Sequence, residues 1–272
     1  MIAPDLPTIT YALRGLAYFE VRIDGPDHDL HSGIYGGVVH NPAQALCELI
    51  AGMHDDDGKV SLPGFYDQVR IISDDERNEL ARLPMGKDFY LQQTGAPALW
   101  GEGKYTPIER VGARPTLEVN GIYSGFTGEG SKTVLPAWAM AKISTRLVPD
   151  QDPEQVHKQL VQYLEHNTPE TVSFKVNCLV GSPASISDQE SVGVKAMQKA
   201  MQQVWGKKPL FRREGGSVPV VVLFMDLLKI DSVNCGFSLP DDNAHSPNEK
   251  LHLPTWINGI ETIINFIYNL AL

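Results

Sequence analysis

Leu16-Ala17-Tyr18-Phe19-Glu20-Val21-Arg22-Ile23-Asp24 is the stretch from which the fold can be read. Ala17, Phe19, Val21 and Ile23 fall on one side of an extended chain, and Tyr18, Glu20, Arg22 and Asp24 on the other. That period of two predicts a strand with one buried face. A loop rich in Gly and His follows at 25–40. Asn41-Pro42 then supplies an N-cap and a first helical residue, with Leu46, Leu49, Ile50 and Met53 on one stripe. Residues 115–123 read as a strand. Residues 139–148 alternate again, with Ala139, Ala141, Ile143, Thr145 and Leu147 facing one way. Asp152-Pro153 opens a second helix carrying Val156, Leu160, Val161 and Leu164, and residues 172–180 form a fourth strand. Strand, helix, strand, strand, helix, strand is the ferredoxin-like order, which predicts a four-stranded antiparallel sheet with both helices on one face.

This unit spans 13–182. Inside it, residues 54–110 are an irregular excursion whose charged helix at 74–83 reads as a solvated face. Gly181-Ser182-Pro183 marks a boundary. Beyond it the pattern is helix (Val194, Met197, Met201), short strand (210–213), an apolar segment at 218–228 expected as a buried helix entered at Pro219, strand (231–239) and helix (255–270). That is part of an α/β layer structure. Residues 183–272 are therefore assigned to an incomplete α/β domain, with 1–12 as another piece of it. The fold class is mixed α/β and α+β.

The 272 residues carry 23 Lys+Arg against 33 Asp+Glu, a formal charge of −10. An acidic chain repels phosphate backbones, which argues against a nucleic-acid partner. The longest apolar run, 218–225, contains Pro219 and falls far short of the roughly 20 residues that cross a bilayer, so no membrane association is expected. Cys47, Cys178 and Cys235 are isolated from one another, which fits a reducing cytoplasm and gives neither a disulfide frame nor a zinc knuckle.

Two histidine segments stand out. Asp29-Leu30-His31-Ser32-Gly33 sits in a glycine-rich loop, where a His can approach a ligand or simply bond a loop carbonyl. Ala244-His245-Ser246-Pro247-Asn248-Glu249 follows a predicted strand; a His among carboxylates suits a metal, and a solvated acidic turn is the plainer reading. Arg146 lies on the polar face of its strand, where its fork could hold a carboxylate or make a surface ion pair. Arg213-Glu214-Gly215-Gly216-Ser217 precedes a helix, which suits an anion or merely a tight turn. Residues 125–133 approximate a phosphate loop, but Ser131 breaks the spacing and no helix follows.

Taken in order, Leu13-Arg14-Gly15, Asp29-Leu30-His31-Ser32-Gly33, Tyr35-Gly36-Gly37, Gly130-Ser131-Lys132-Thr133-Val134-Leu135-Pro136, Arg146-Leu147-Val148-Pro149, Arg213-Glu214-Gly215-Gly216-Ser217-Val218-Pro219 and the His245 segment resemble the M20 metallopeptidases, in particular the carnosinase-like cytosolic dipeptidases. The resemblance covers nearly the whole chain. It implies a di-zinc catalytic α/β domain interrupted by a ferredoxin-like lid through which homodimers form. It implies that His245 is a zinc ligand, that His31 reaches the partner's active site as an oxyanion donor, and that Thr133 shares that contact. Arg146, Gly216 and Ser217 match groups that hold the substrate's C-terminal carboxylate.

The implied reaction is hydrolysis of an amide in a small peptide or acyl amino acid by a hydroxide bridging two zinc ions, with manganese or cobalt as alternatives. The family's remaining ligands and its general-base Glu precede the Arg14-Gly15 strand, where only thirteen residues stand here. The chain is therefore expected to lack most of the metal site, to leave it unfilled and to be inactive alone. A non-catalytic dimerisation or binding module on the same lid is the competing reading.

Overall fold

The computed structural model describes residues 1–271. In chain order the elements are β1 (Thr8–Leu13), β2 (Gly15–Asp24), β3 (Leu30–His31), α1 (Ser32–Tyr35), α2 (Pro42–Ala51), α3 (Asp74–Leu80), α4 (Lys87–Thr94) and α5 (Pro107–Ala113). There follow β4 (Thr116–Ser124), β5 (Val134–Leu135), β6 (Trp138–Leu147), α6 (Pro153–Asn167), β7 (Ser173–Ser182) and β8 (Ser185–Ile186). The last are α7 (Val192–Trp205), β9 (Leu210–Glu214), α8 (Pro219–Leu228), β10 (Asn234–Cys235) and α9 (Leu253–Leu270).

The first sheet has the order β4-β6-β2-β7, every pair antiparallel. The alternation read from residues 16–24 sets its faces. Ala17, Phe19, Val21 and Ile23 are fully buried and lie opposite Thr145, Ile143, Ala141 and Ala139 of β6. α2 and α6 cover this one face through Leu46, Leu49, Val156, Leu160 and Leu164. Asn41 and Asp152 cap the two helices by accepting from Ala43 N and Glu154 N at 2.9 and 3.0 Å. The opposite face keeps Glu20, Lys142 and Arg146 away from the core, as a half-solvated antiparallel sheet requires.

The second sheet is built on β1, a strand that the sequence pattern does not announce. β9 runs parallel along one edge of it, while β10 and β8 share the other edge. Ile9 packs with Val194, Met197 and Met201 of α7, and α9 lies against α7.

Three expectations change. The charged helix α3 is more than a solvated face: Glu76 accepts from Arg213 Nε at 2.7 Å and from the Tyr11 hydroxyl, fastening the excursion to the second sheet. Burial leaves these groups to satisfy one another, and it pushes the Tyr11 phenol up. α8 begins at Pro219 as expected but is not buried; among its residues Val221 is buried, while Leu223, Phe224, Leu227 and Leu228 are exposed. Those four apolar side chains meet no covering element among the described residues. The strand expected at 231–239 contracts to Asn234–Cys235.

The chain passes between the two sheets at 13–15 and again at 182–185, and the passages touch at Gly15. A Cβ there would lie 2.5 Å from Ser182 O and 2.6 Å from Ala184 N, both backbone atoms that cannot yield cheaply. Gly15→Ala should therefore cost about 1–3 kcal/mol, the range of overpacked cores, read as a lowered urea midpoint. A midpoint unchanged from the parent would show that the crossing is not tight.

Candidate functional site

Arg146 belongs to the first sheet and Ser217 to the turn between β9 and α8, yet Arg146 Nη1 donates to Ser217 Oγ at 2.8 Å. The two glycines before Ser217 differ. A Cβ on Gly215 would press on Arg14 Nη2 at 2.8 Å and Val111 Cγ1 at 3.0 Å, so packing demands glycine there. Gly216 is exposed, and a Cβ would find only Glu214 Cγ at 3.9 Å. Neither crowding nor a left-handed backbone requires Gly216, which leaves its face open to a ligand.

Arg14 supports the same turn from behind. It donates from Nε to Gly215 O at 3.2 Å and from Nη1 to Arg114 O at 3.4 Å. Burial, then the neighbouring Arg146 charge, pulls Arg14 down to about 10, so it remains protonated at neutral pH. Arg14, Arg146, Arg110, His54 and Trp100 line a cavity of 330 Å³. Arg14 belongs to the Leu13-Arg14-Gly15 motif, but the sequence points to no role for it, for Arg110 or for the cavity. No local pattern signals them, because their convergence depends on how the excursion folds back.

His31 and Thr133 also meet. The β3–β5 ladder pairs His31 with Val134 and Leu30 with Leu135, Ser32 N donates to Thr133 O at 3.0 Å, and Asp29 Oδ1 accepts from Ala137 N at 2.9 Å. The His31 ring is exposed and caps α1, its Nδ1 accepting from Gly33 N at 3.0 Å. An accepting Nδ1 carries no proton, so the neutral ring holds its proton on Nε2. That nitrogen lies 3.4 Å from Thr133 Oγ1. His31 is thus presented as a hydrogen-bond donor at the surface, beside exposed Ile34 and Val38.

His245 stands apart. It is exposed, with a left-handed backbone at φ 62°, in a loop organised by buried Asp242, which accepts from Leu239 N at 2.7 Å. Asp241 is taken up by Lys250 at 2.6 Å. Among the described residues no group of three or more His, Cys, Asp or Glu could hold a metal ion. No helix among them is long and apolar enough to cross a membrane.

A Cβ on Gly33 would lie 2.8 Å from His31 Cε1. Gly33→Ala should therefore push the ring off its cap. Long-range proton–nitrogen correlation spectra at pH 8 should show the Nε2-protonated form of His31 in the parent and a mixture of tautomers in the variant. The same single form in both would disprove this account of the cap.

The sequence family described as the peptidase dimerisation domain matches residues 11–172. The Cys-Gly metallodipeptidase DUG1 of Candida albicans is 33% identical over 267 residues, covering 96% of this chain and 55% of that protein. The human Beta-Ala-His dipeptidase is 29% identical, covering 99% and 54%. The structure of the M20 family metallo-carboxypeptidase Sso-CP2 from Sulfolobus solfataricus superposes with a TM-score of 0.88 at 29% identity, covering 98% of this chain and 61% of that one. The chain thus spans a little over half the length of these relatives. With a dimerisation-domain match across most of its length and M20 peptidases among its relatives in both sequence and fold, the chain belongs to the M20 peptidase family.

Proposed function

We propose that this chain carries the substrate-gripping part of a metallodipeptidase that cleaves the amide bond next to a free C-terminal carboxylate. The carrying observation is the Arg146–Ser217 hydrogen bond beside the open face of Gly216. A guanidinium fork and a hydroxyl on adjacent elements, next to a backbone with no side chain in the way, are what a carboxylate needs for charge-assisted bonding. In this reading Arg146, Gly216 and Ser217 fix the carboxylate and limit substrates to short peptides or acyl amino acids.

The ferredoxin-like lid at 13–182 mediates a cytoplasmic homodimer. His31, with Thr133 beside it, donates its Nε2–H to the developing oxyanion in the partner's site. Preorganised donors of this kind lower the barrier by roughly 3–4 kcal/mol. Residues 1–12 and 183–272 belong to the catalytic α/β domain. The relatives' names indicate a metal enzyme, and two zinc ions, or manganese or cobalt, are the expected cofactors, with His245 as one ligand. The described residues do not assemble the rest of such a centre. The chain by itself is therefore expected to be inactive.

Calorimetric titration tests the grip. Glycylglycine should bind about tenfold more tightly than glycylglycinamide, and Arg146→Gln should erase that difference. Equal binding of acid and amide by the parent chain would refute the carboxylate site. The purified chain with added zinc should not hydrolyse glycylglycine; turnover comparable to the full-length relatives would overturn the expectation of inactivity.

A further inference from the structure

The cavity behind the Arg146–Ser217 contact holds more positive charge than one carboxylate requires. Arg14, Arg110, Arg114 and Arg146 all line it, against the carboxylates of Glu102 and Glu118. Glu102 is already committed, since both its oxygens accept from Arg114, from Nε and Nη2, at 2.9 Å each. Elsewhere in the chain each arginine pairs with a carboxylate within 4 Å: Arg22, Arg70, Arg77, Arg82, Arg212 and Arg213 do so. Among the described residues Arg14, Arg110 and Arg146 form no such pair. The arginines without a carboxylate partner therefore meet in one cavity of 330 Å³ in a chain of charge −10.

Their fixed bonds also hold them in place. Arg14 is tied to Gly215 O and Arg114 O. Arg110 donates to Tyr105 O at 2.9 Å and to Trp100 O at 3.1 Å, both on the excursion. Neutral carbonyls orient these guanidiniums without cancelling their charge, and like charges confined in a cleft raise the local concentration of an anion. The volume lies within the range of small-ligand sites.

We propose that this cavity is a specificity pocket for an acidic side chain: it receives the side-chain carboxylate of a C-terminal Glu or Asp whose α-carboxylate rests on Arg146 and Ser217. The inference rests on the carboxylate reading of Arg146 given above and adds Arg14 and Arg110 as the groups that select the side chain. Arg14 grips from the Gly215 side and Arg110 from the excursion. Arg146 is taken by the α-carboxylate, and Glu118 lines the same cavity and opposes the incoming charge, so the side-chain preference is a difference between two unpaired cations, Arg14 and Arg110, and one free carboxylate. Cationic C-terminal side chains are disfavoured for the same reason.

The test is calorimetric titration of the chain at low ionic strength with glycyl-glutamate, its neutral isostere glycyl-glutamine, and glycyl-lysine. Glycyl-glutamate should bind about tenfold more tightly than glycyl-glutamine, with glycyl-lysine weakest. Arg110→Gln and Arg14→Gln should each cut the glutamate preference to under about threefold, while Arg14→Lys, which keeps the charge, should retain most of it. Arg14 also props the Gly215 turn, so Arg110→Gln, on the opposite wall, is the deciding variant if Arg14→Gln does not fold. Binding of glutamate and glutamine peptides within about twofold, with both still lost in Arg146→Gln, would overturn the acidic pocket and leave the carboxylate reading standing. Binding of neither peptide, or binding that ignores Arg146→Gln, would overturn both. A glutamate preference that survives in Arg110→Gln would overturn the assignment of these arginines.

Discussion

The two sheets are joined where backbones cross closely at Gly15. Only a residue without a side chain lets the passage from β1 to β2 lie against the passage from β7 to β8. Two tight strand connections at one point hold the sheets in a fixed relation. The consequence reaches the site directly, because Arg14 is the residue between β1 and β2 and its guanidinium lies on the Gly215 turn. A looser joint would separate Arg146, on the first sheet, from Ser217, beside the second.

The excursion between α2 and β4 is the other structural bridge. Two of the ion pairs that anchor it are withdrawn from water, Arg114 with Glu102 fully and Arg213 with Glu76 in part. Removing such groups from water costs several kcal/mol per ion, so they are weak sources of stability. What they visibly do is tie the excursion at defined points. Leu80, Leu83, Met85 and Ile108 then pack on Ile2 and Leu210 of the second body, while Val60, Leu62 and Phe65 join the core of the first. The excursion thus spans both sheets, and its inner wall becomes the lining of the arginine cavity. A segment that looked like irregular decoration supplies half of the proposed selectivity.

The surfaces differ in character. The tip around His31 is an exposed donor held by a two-strand ladder and a helix cap. The outward faces of α8 and α9 carry Leu223, Phe224, Leu227, Trp256, Ile260 and Ile264 in the open. Exposed apolar helix faces of this kind mark places where another element or chain packs.

Local sequence patterns encode the first sheet, both its helices and their caps. Alternation in residues 16–24 and 139–148, together with Asn41-Pro42 and Asp152-Pro153, are local signals whose physics acts over a few residues. The ordered motifs likewise marked His31, Thr133, Arg146, Gly216, Ser217 and His245 for attention. β1 escaped notice because a central strand buried from both sides lacks a clean polar alternation. α8 misled because apolar composition reports what a helix would bury, not whether anything is there to cover it. Tertiary contacts join Arg146 to Ser217 and His31 to Thr133, and among the described residues they place His245 in no metal-ligating group. The tertiary structure alone gathers Arg14 and Arg110 into one cavity, since contacts between residues a hundred positions apart arise from the crossing at Gly15 and the folded excursion, and no short window of sequence contains them.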